Sequence, residues 1–526
     1  MSFRSTLACL VLVASAFSAA GQEGAREYRF ATRLQPSLSL SNPALMDAFQ
    51  GRLGTMEVQL QKANGGLVPL TESPDNWQAG AATESFWRVA DKLTFFGRMD
   101  WQYFSGKDMG AQVLMDPAYN PVNFLESTTD TRGTKHRESY NLQGALSYRI
   151  GNRWALGAKV NYTSADQTKI KDPRFSNVWM DLDLHAGVRF QATERLVVGA
   201  SLEFRNTLEQ VKGGVYGTTD RQYFVQTDKG GFLGTVAELA GDYNPISTLN
   251  SRPMGNRFLG GALQAVLDER FASELWFLAR SGYYGRKGSS TATFFEFGGW
   301  EAGYRGSLLL PAGDTRLHRV ALDIQAQSLD NRENKFRYVT PSGQNTVVEY
   351  LGQDLVLERT LLNASLDYAY HTGTDGYEPS LSLGFVLDGS WRNQTTHLFP
   401  FTRRQQVATF QADVFGKKCF PAGRFLLSLE LHALAGGGWG NPAEDTVDPL
   451  ATSTIIKSFD TYLNRQFEYE TAFRAGGQLG LTLRLPLKGW VPYLNLSERY
   501  VSLLSAPIYL EGRGRNMALV TVGCNF

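Results

Sequence analysis

From about Met56 to Phe526 apolar and polar residues alternate with a period of two, and no stretch of comparable strength has a helical period. Such alternation predicts β-strands with one apolar and one polar face. The cleanest unit runs from Ser139 to Thr163. Its first arm puts Tyr140, Leu142, Gly144, Leu146, Tyr148 and Ile150 on one face, and Ser139, Asn141, Gln143, Ala145, Ser147 and Arg149 on the other. After a Gly151-Asn152 turn, the second arm sets Trp154, Leu156, Ala158, Val160 and Tyr162 against Arg153, Lys159, Asn161 and Thr163. Folding about that turn is expected to pair Tyr148 with Trp154, Leu146 with Leu156, Leu142 with Val160 and Tyr140 with Tyr162. Aromatics then cap both ends of an aliphatic band. At about 3.3 Å per residue the band is roughly 26 Å long, and a tilt of about 40° leaves about 20 Å of height. That is close to the apolar band between the aromatic girdles of a membrane barrel.

The same pattern recurs. Val178, Met180, Leu182, Leu184, Ala186, Val188 and Phe190 alternate with Asp181, Asp183, His185 and Arg189, and Leu196 to Phe204 alternate with Ser201, Glu203 and Arg205. Later, Phe425 to Leu431 face away from Glu430 and His432, and Phe473 to Leu485 face away from Glu470, Arg474 and Arg484. Short turns are expected near Asp91, Asn152, Ala192, Glu269, Gly313, Asp375, Lys418 and Lys488. Between them fall long polar connections: Gly106 to Arg137, Thr207 to Asn256, Asp330 to Val356, and Gly438 to Gln466. Short periplasmic turns alternating with longer extracellular loops are the mark of a transmembrane barrel. The expected fold is therefore all-β: an antiparallel up-and-down transmembrane β-barrel of about 18 strands (16–18) over residues 55–526. A propeller or solenoid would need a repeat of fixed length, and none is visible. A sandwich would rarely need long loops on one side only.

The chain ends agree with an exported barrel. Arg4, the apolar run Leu7 to Phe17 and the small residues Ser18-Ala19-Ala20-Gly21 read as a signal peptide over residues 1–21, too short to span a bilayer. Cys9 lies inside the apolar run, which argues against a lipoprotein, and places the mature start near Gln22. Residues 22–54 alternate poorly and read as a periplasmic tail or partial plug. At the other end Ala518, Val520, Val522, Cys524 and Phe526 share a face, as in a final strand recognised by the barrel-assembly machinery. The remaining thiols, Cys419 and Cys524, are placed too far apart around the wall for a disulfide. With 52 basic and 51 acidic residues the net charge is only +1, which offers no footprint for nucleic acid.

The lumen-facing polar residues are the candidates for chemistry: Asp181, Asp183, His185, Arg189, Glu203, Arg205, Glu430, His432, Glu470 and Arg474. Carboxylates and imidazole can ligate metal. Steps of nearly 7 Å between successive same-face residues along one strand argue instead for a hydrated charge ladder, with no metal and no cofactor. Further inward charges (Arg98, Asp100, Arg149, Lys159, Glu301, Arg305, Asp323) mix both signs and read as a hydrated wall with local ion pairs; a ring of one sign, which would imply ion selectivity, needs equal heights that residue order does not give. Among the six histidines, His136 and His397 lie near long loops, but neither carries a motif of the barrel hydrolases, and an enzyme is not expected. Gly285 to Ser290 lacks P-loop spacing and reads as a surface loop. The loop aromatics Tyr223, Phe224, Phe232, Tyr243, Trp439 and Phe459 are expected to pack within their own loops rather than on a ligand.

Asn42-Pro43-Ala44, just before the first strand, resembles the N-terminal hatch element of fatty-acid transporter-like barrels. Together with Ser176-Asn177-Val178-Trp179-Met180-Asp181-Leu182 and the terminal strand, it more closely resembles the large uncharacterised outer-membrane barrel families of Bacteroidota. That resemblance implies the fold and no particular site. The expectation is a channel or transporter for small solutes in the outer membrane of a Gram-negative cell, in contact with its lipids; the alternative is a non-conducting barrel displaying loops for adhesion or a partner. Arginine at outward Leu146 is predicted to lower the folded yield in lipid more than arginine at inward Ser147. Midplane charge on the lipid face costs about 2–4 kcal/mol, and equal yields would contradict the assigned faces.

Overall fold

The alternation is realised as strands that close on themselves. The computed structural model describes residues 26–115, 120–126, 130–216, 220–238, 252–288, 291–449 and 460–526. The expected signal peptide, the mature start, Tyr243 and Phe459 lie outside the described residues. In chain order the wall begins with β1 (Arg52–Asn64), β2 (Asp75–Ala90) and β3 (Leu93–Met109). After a short strand, β4 (Asn123–Glu126), come β5 (Gly133–Ile150), β6 (Trp154–Lys169), β7 (Arg174–Gln191) and β8 (Leu196–Gly214). Two more short strands follow, β9 (Phe224–Asp228) and β10 (Gly234–Glu238). The wall resumes with β11 (Pro253–Leu267), β12 (Phe271–Gly288), β13 (Thr291–Pro311), β14 (Arg316–Val339) and β15 (Val347–Thr372). It finishes with β16 (Leu381–Leu398), β17 (Phe401–Ala422), β18 (Phe425–Val447), β19 (Arg474–Arg484), β20 (Val491–Leu503) and β21 (Gly514–Asn525).

Eighteen of these strands form one antiparallel sheet, and β1 pairs with both β2 and β21, which closes the barrel. Closure leaves no edge strand with unpaired backbone groups, the condition for crossing lipid with strands. The seam is completed by reciprocal backbone bonds between Gly54 and Phe526 (2.7 and 2.9 Å), and the Phe526 ring packs beside Trp490.

The assigned faces hold throughout the cleanest hairpin. Leu142, Leu146, Tyr148, Trp154, Leu156 and Val160 are exposed, whereas Ala145, Ser147 and Ala155 are buried inside. Leu202, Leu263, Leu275, Leu479 and Val522 continue the outer apolar belt, and the ring pairs Trp154–Phe190 (4.4 Å) and Phe410–Trp439 (6.2 Å) belong to its aromatic margins. The register differs from expectation by two residues. Ile150 faces Trp154, Tyr148 faces Leu156 and Leu142 faces Tyr162, because the turn takes three residues, Gly151 to Arg153. A slip of two leaves every side chain on its face.

Other expectations need correction at the long-loop end. Asp330 to Val356 is mostly strand: β14 and β15 run far past the apolar belt and pair along their extensions. Beyond the apolar belt charged residues break the alternation (Arg332, Glu333, Lys335, Arg337, Glu349, Asp354), so the sequence there reads as loop, although Phe336, Tyr338 and Tyr350 still pack together on one face. For the same reason Gly285 to Gly288 belongs to β12, and Trp439 is an outward residue of β18. The turn expected near Lys418 lies at Gly423-Arg424, with Cys419 inside β17; Cys419 and Cys524 are both free. Glu470 is not on a strand but on helix α2, Asp460–Thr471; the label α1 is given to Tyr28–Arg33.

The described parts of the connections after β3, β8 and β18 turn inward. β4, β9 and β10 make a separate antiparallel sheet. Phe124 and Val225 of that sheet share a buried apolar cluster with Phe175, Val211, Met254, Phe295 and Leu329 from the barrel wall. Glu126 of β4 and Lys169 of β6 form a fully buried ion pair beside it, and Tyr462 of α2 donates to the Glu126 carbonyl (3.0 Å). The long-loop half of the lumen therefore contains a packed core rather than open water. Ser147 is also drier than expected: it is 1% exposed and donates to the Ala44 carbonyl (3.0 Å), so arginine there would displace the N-terminal segment, and the wet-lumen basis of its comparison with Leu146 does not hold at this position.

Candidate functional site: a polar lumen between two inward-folded segments

The N-terminal segment is positioned residue by residue. Glu27 caps α1 by accepting from the Phe30 amide (2.7 Å), and its own amide donates to the Tyr377 carbonyl in the β15–β16 turn (2.8 Å). Phe30 stacks edge-on against His371 of β15. The segment then crosses the barrel to the wall formed by β5 to β8. Asn42 caps a 3-10 turn (Pro43–Ala48) by accepting from the Ala44 amide (2.9 Å), with Pro43 at the first helical position, where no amide is needed. The Asn42 amide group donates to Val188 O, Ala200 O and Gln264 Oε1 (3.0–3.2 Å), so both ends of this buried side chain are satisfied. The Asn-Pro-Ala element thus has a local role and a docking role at once.

Docking needs small residues opposite. A Cβ on Gly157 would lie 2.3 Å from the Ala44 nitrogen, and one on Gly187 would lie 1.9 Å from Asn42 Oδ1. At the end of the turn Asp47, 1% exposed, meets three guanidinium groups. Arg149 Nε reaches both of its carboxylate oxygens (2.9 Å), Arg189 reaches Oδ2 (3.1 Å), and Arg88 donates to the Asp47 and Phe49 carbonyls (2.8 and 3.0 Å). Asp47 carries no signal of its own in the residue pattern, because its segment does not alternate. A signal was present in the inward run Ala145, Ala155, Gly157, Gly187 and Gly199, where a wall facing water would carry larger polar groups.

The ten predicted residues do not form one site. Asp181 is held by Arg205 through both oxygens (2.6–3.1 Å), and Asp183, His185 and Glu203 gather beside this pair on β7 and β8. Arg189 belongs to the Asp47 cluster. His432 on β18 sits between Asp413 (2.8 Å) and Glu430 (3.0 Å). Glu470 on α2 makes a two-pronged pair with Arg392 of β16 (2.8 and 3.1 Å), while Arg474 donates to the last carbonyls of the helix. Among the other histidines, inward His371 pairs locally with Ser382, and on the outer face His136 pairs with Tyr103 and His318 with Tyr368.

Three cavities follow one another down the inner faces of β15, β16 and β17. The upper, about 370 Å³, is lined by Arg359, Asn123, Gln394, Gln405 and Gln466, with Phe232 from the β9–β10 turn. The middle, about 480 Å³, presents Ser365, Asp388, Thr409 and Gln411. Asn363, Ser390 and Glu470 line both, so the two adjoin. The lower, about 340 Å³, is lined by Arg33 of the N-terminal segment, His371, Ser382, Lys417, Glu430 and Tyr493. On β17 the inward residue between Gln411 and Phe415 is Asp413, so the Asp413–His432–Glu430 group stands between the middle and lower spaces. Amides and hydroxyls dominate the upper two cavities; in the lower one charges of both signs are mixed with amides and hydroxyls.

Residues 43–526 match a family described as a family of unknown function (DUF6850). No curated protein matches the sequence. Among solved structures, the chain is similar to BauA, the ferric preacinetobactin receptor of Acinetobacter baumannii, with 8% identity over 91% of this chain and 80% of that one, at a TM-score of 0.41. It is similar to the FrpB iron transporter of Neisseria meningitidis, with 6% identity over 92% and 84% of the two chains and a TM-score of 0.39. The toluene transporter TodX of Pseudomonas putida matches over 97% and 98% of the chains, with 9% identity and a TM-score of 0.29. At such scores the likeness carries no substrate and no mechanism to this chain.

The upper cavity contains a titratable device outside the membrane-spanning strands. Burial pushes the Asp228 carboxyl up to about 7, against the opposing pull of the Gly230 and Phe232 amides and the Arg403 guanidinium. A raised folded pKa means that the ordered loop holds the proton more tightly than the opened loop. The stabilisation is present below the ordinary carboxylate range near 4 and is lost as pH rises through about 7. Amide exchange of residues 224–238, corrected for intrinsic rates, is predicted to be faster at pH 8 than at pH 5.5. Asp228→Asn should remove the difference, and a wild-type protein with no difference would contradict the assignment.

Proposed function

We propose that this chain, which belongs to the family of unknown function DUF6850, is an outer-membrane barrel of a Gram-negative cell that passes a small polar solute through a gated lumen. The observation that carries this reading is the run of three polar cavities along β15 to β17, bounded at one end by inward-folded loops and at the other by the N-terminal segment. A permanently open pore would not need an apolar core inside its long-loop half or a carboxylate locked beneath three arginines at its short-turn end. Each cavity is of the size that holds one small molecule rather than a polymer. With the short turns periplasmic, a solute would enter past β9, β10 and α2. It would then wait among the amides of the upper and middle cavities, and leave when the N-terminal segment shifts from its seat.

In this reading residues 22–54 are the plug, the seating of Asn42-Pro43-Ala44 supports a hatch role like that of fatty-acid transporter-like barrels, and residues 55–526 are the conduit. The final strand, ending in Phe526, is what the barrel-assembly machinery engages, and the exposed leucine belt contacts outer-membrane lipid. The chain is read as a transporter and not as an enzyme. Loop display for adhesion draws less support, because the described connections after β3, β8 and β18 pack inward, although the β14–β15 hairpin extends outward past the apolar belt.

Solute uptake into proteoliposomes tests the conduit. The full-length protein is predicted to admit small neutral polyols slowly, through brief openings of the gate. Asn363→Trp, which fills the junction of the upper and middle cavities, should reduce the rate at least about tenfold while leaving the folded yield unchanged; a large side chain in a preformed cavity of this size removes most of its free volume. Unchanged uptake through the Asn363→Trp protein would place the route elsewhere or nowhere.

A further inference from the structure

On the wall between β7 and β8, two inward carboxylates are left without a cationic side chain. Asp181 is taken up by Arg205, but among the described residues neither Asp183 nor Glu203 has a lysine or arginine within ion-pair distance. Between them lies His185, whose side chain is 4% exposed. Its Nε2 is 2.9 Å from Asp183 Oδ2, and its Nδ1 is 3.8 Å from Glu203 Oε2 and has no hydrogen-bond partner. Asp183 Oδ1 is likewise buried without a partner.

These distances define a mismatch. An Nε2–H that donates to Asp183 leaves the lone pair of Nδ1 aimed at a carboxylate oxygen, so two acceptors face each other. At 3.8 Å they are too far apart for a hydrogen bond to bridge them. They are the right distance apart for two ligands of one ion, since zinc binds nitrogen and oxygen at about 2.0–2.2 Å each. A carboxylate on the far nitrogen of a ligating histidine is the usual means of fixing its tautomer and orientation. We propose that Asp183, His185 and Glu203 form a binding site for a divalent transition cation of the zinc class. Glu203 Oε2 and His185 Nδ1 face the ion, and Asp183 orients the ring, with its unpartnered Oδ1 close by.

One ligand atom from each residue lies within 4.8 Å of the others. The objection that side chains along one strand stand nearly 7 Å apart does not apply, because Glu203 is the direct cross-strand neighbour of His185. Imidazole with carboxylate suits Zn²⁺, Cu²⁺ or Ni²⁺ and disfavours Mg²⁺ and Ca²⁺, which prefer oxygen alone. The site is two residues along β7 from Gly187, where Asn42 docks, so an ion here sits beside the seat of the N-terminal segment. The inference goes beyond the transport reading and stands apart from it, because the ion can bind whether or not the lumen conducts. Lys159, the other cross-strand neighbour of His185, opposes binding by its charge.

The test is calorimetric titration of ZnCl₂ into the full-length protein, folded in detergent and stripped with chelator, with Co²⁺ absorption as a second readout. One ion per chain is expected. His185→Gln and Glu203→Gln should each weaken binding at least about tenfold, Lys159→Met should tighten it severalfold, and MgCl₂ should not compete. The inference is overturned if wild-type protein binds Zn²⁺ no better than millimolar, or if His185→Gln and Glu203→Gln bind as wild type does. Heat-modifiable migration on gels reports whether each variant is folded. Should both ligand variants misfold, Lys159→Met decides, and an unchanged affinity in that protein overturns the site.

Discussion

A carboxylate that is 1% exposed survives as a charge only where the surrounding structure replaces its water, and Asp47 depends on three arginines to do so. The dependence runs both ways. Arg88, Arg149 and Arg189 come from β2, β5 and β7, and without Asp47 they would leave three like charges crowded on one stretch of inner wall. Neither the barrel nor the N-terminal segment is electrostatically complete alone in this region. Breaking such a buried cluster from one side costs about 3–5 kcal/mol, because the remaining charges stay where they are. Hydrogen bonds from Asn42 and the close approach at Gly157 and Gly187 add shape to the charge, so the segment has one seat and one register in it.

From that seat the rest of the lumen follows. The segment reaches from β5 to β15, which stand eight strands apart one way round the ring and ten the other, so it crosses close to a diameter. Its far end, Arg33, forms part of the lower cavity and thereby couples the Asp47 lock to the polar lane on the opposite wall. At the other end α2 is held to that same wall by Glu470 and Arg392, above the middle cavity. The lane is thus bounded by two inward pieces, each fastened by a charge-assisted contact, while the strands between them are fixed by continuous pairing. Rigid wall and separately fastened ends are what a gated route requires.

Much of this was legible from residue order. The two faces of each strand, the count near eighteen, the seam residue Phe526 and the sidedness of loops all come from period-two alternation and its interruptions, because lipid imposes one chemistry on every second residue. Where lipid stops, that constraint stops. The extensions of β14 and β15 read as loop because both of their faces meet water or protein. The helix carrying Glu470 was hidden because its few buried residues, Tyr462, Leu463 and Arg465, make no long apolar stripe. Alternation also cannot resolve a shift of two residues, so the Ser139–Thr163 hairpin kept its faces and lost its expected partners. Asp183, His185 and Glu203 could be named from one strand and the next, but their meeting depends on the cross-strand register. Asp47 had no pattern around it; only the small inward residues on the receiving wall pointed to something resting there.

The central claim, that the seated N-terminal segment closes the lumen, is most directly tested by single-channel recording in planar bilayers. Full-length wild type would be compared with Asp47→Ala, which unbalances the lock, and Gly157→Val, which fills the seat without changing charge. Wild-type protein should be silent or open only briefly, and both variants should show long-lived open steps of the same size. A wild-type protein with a steady conductance equal to that of both variants would mean that the segment rests in the lumen without gating it.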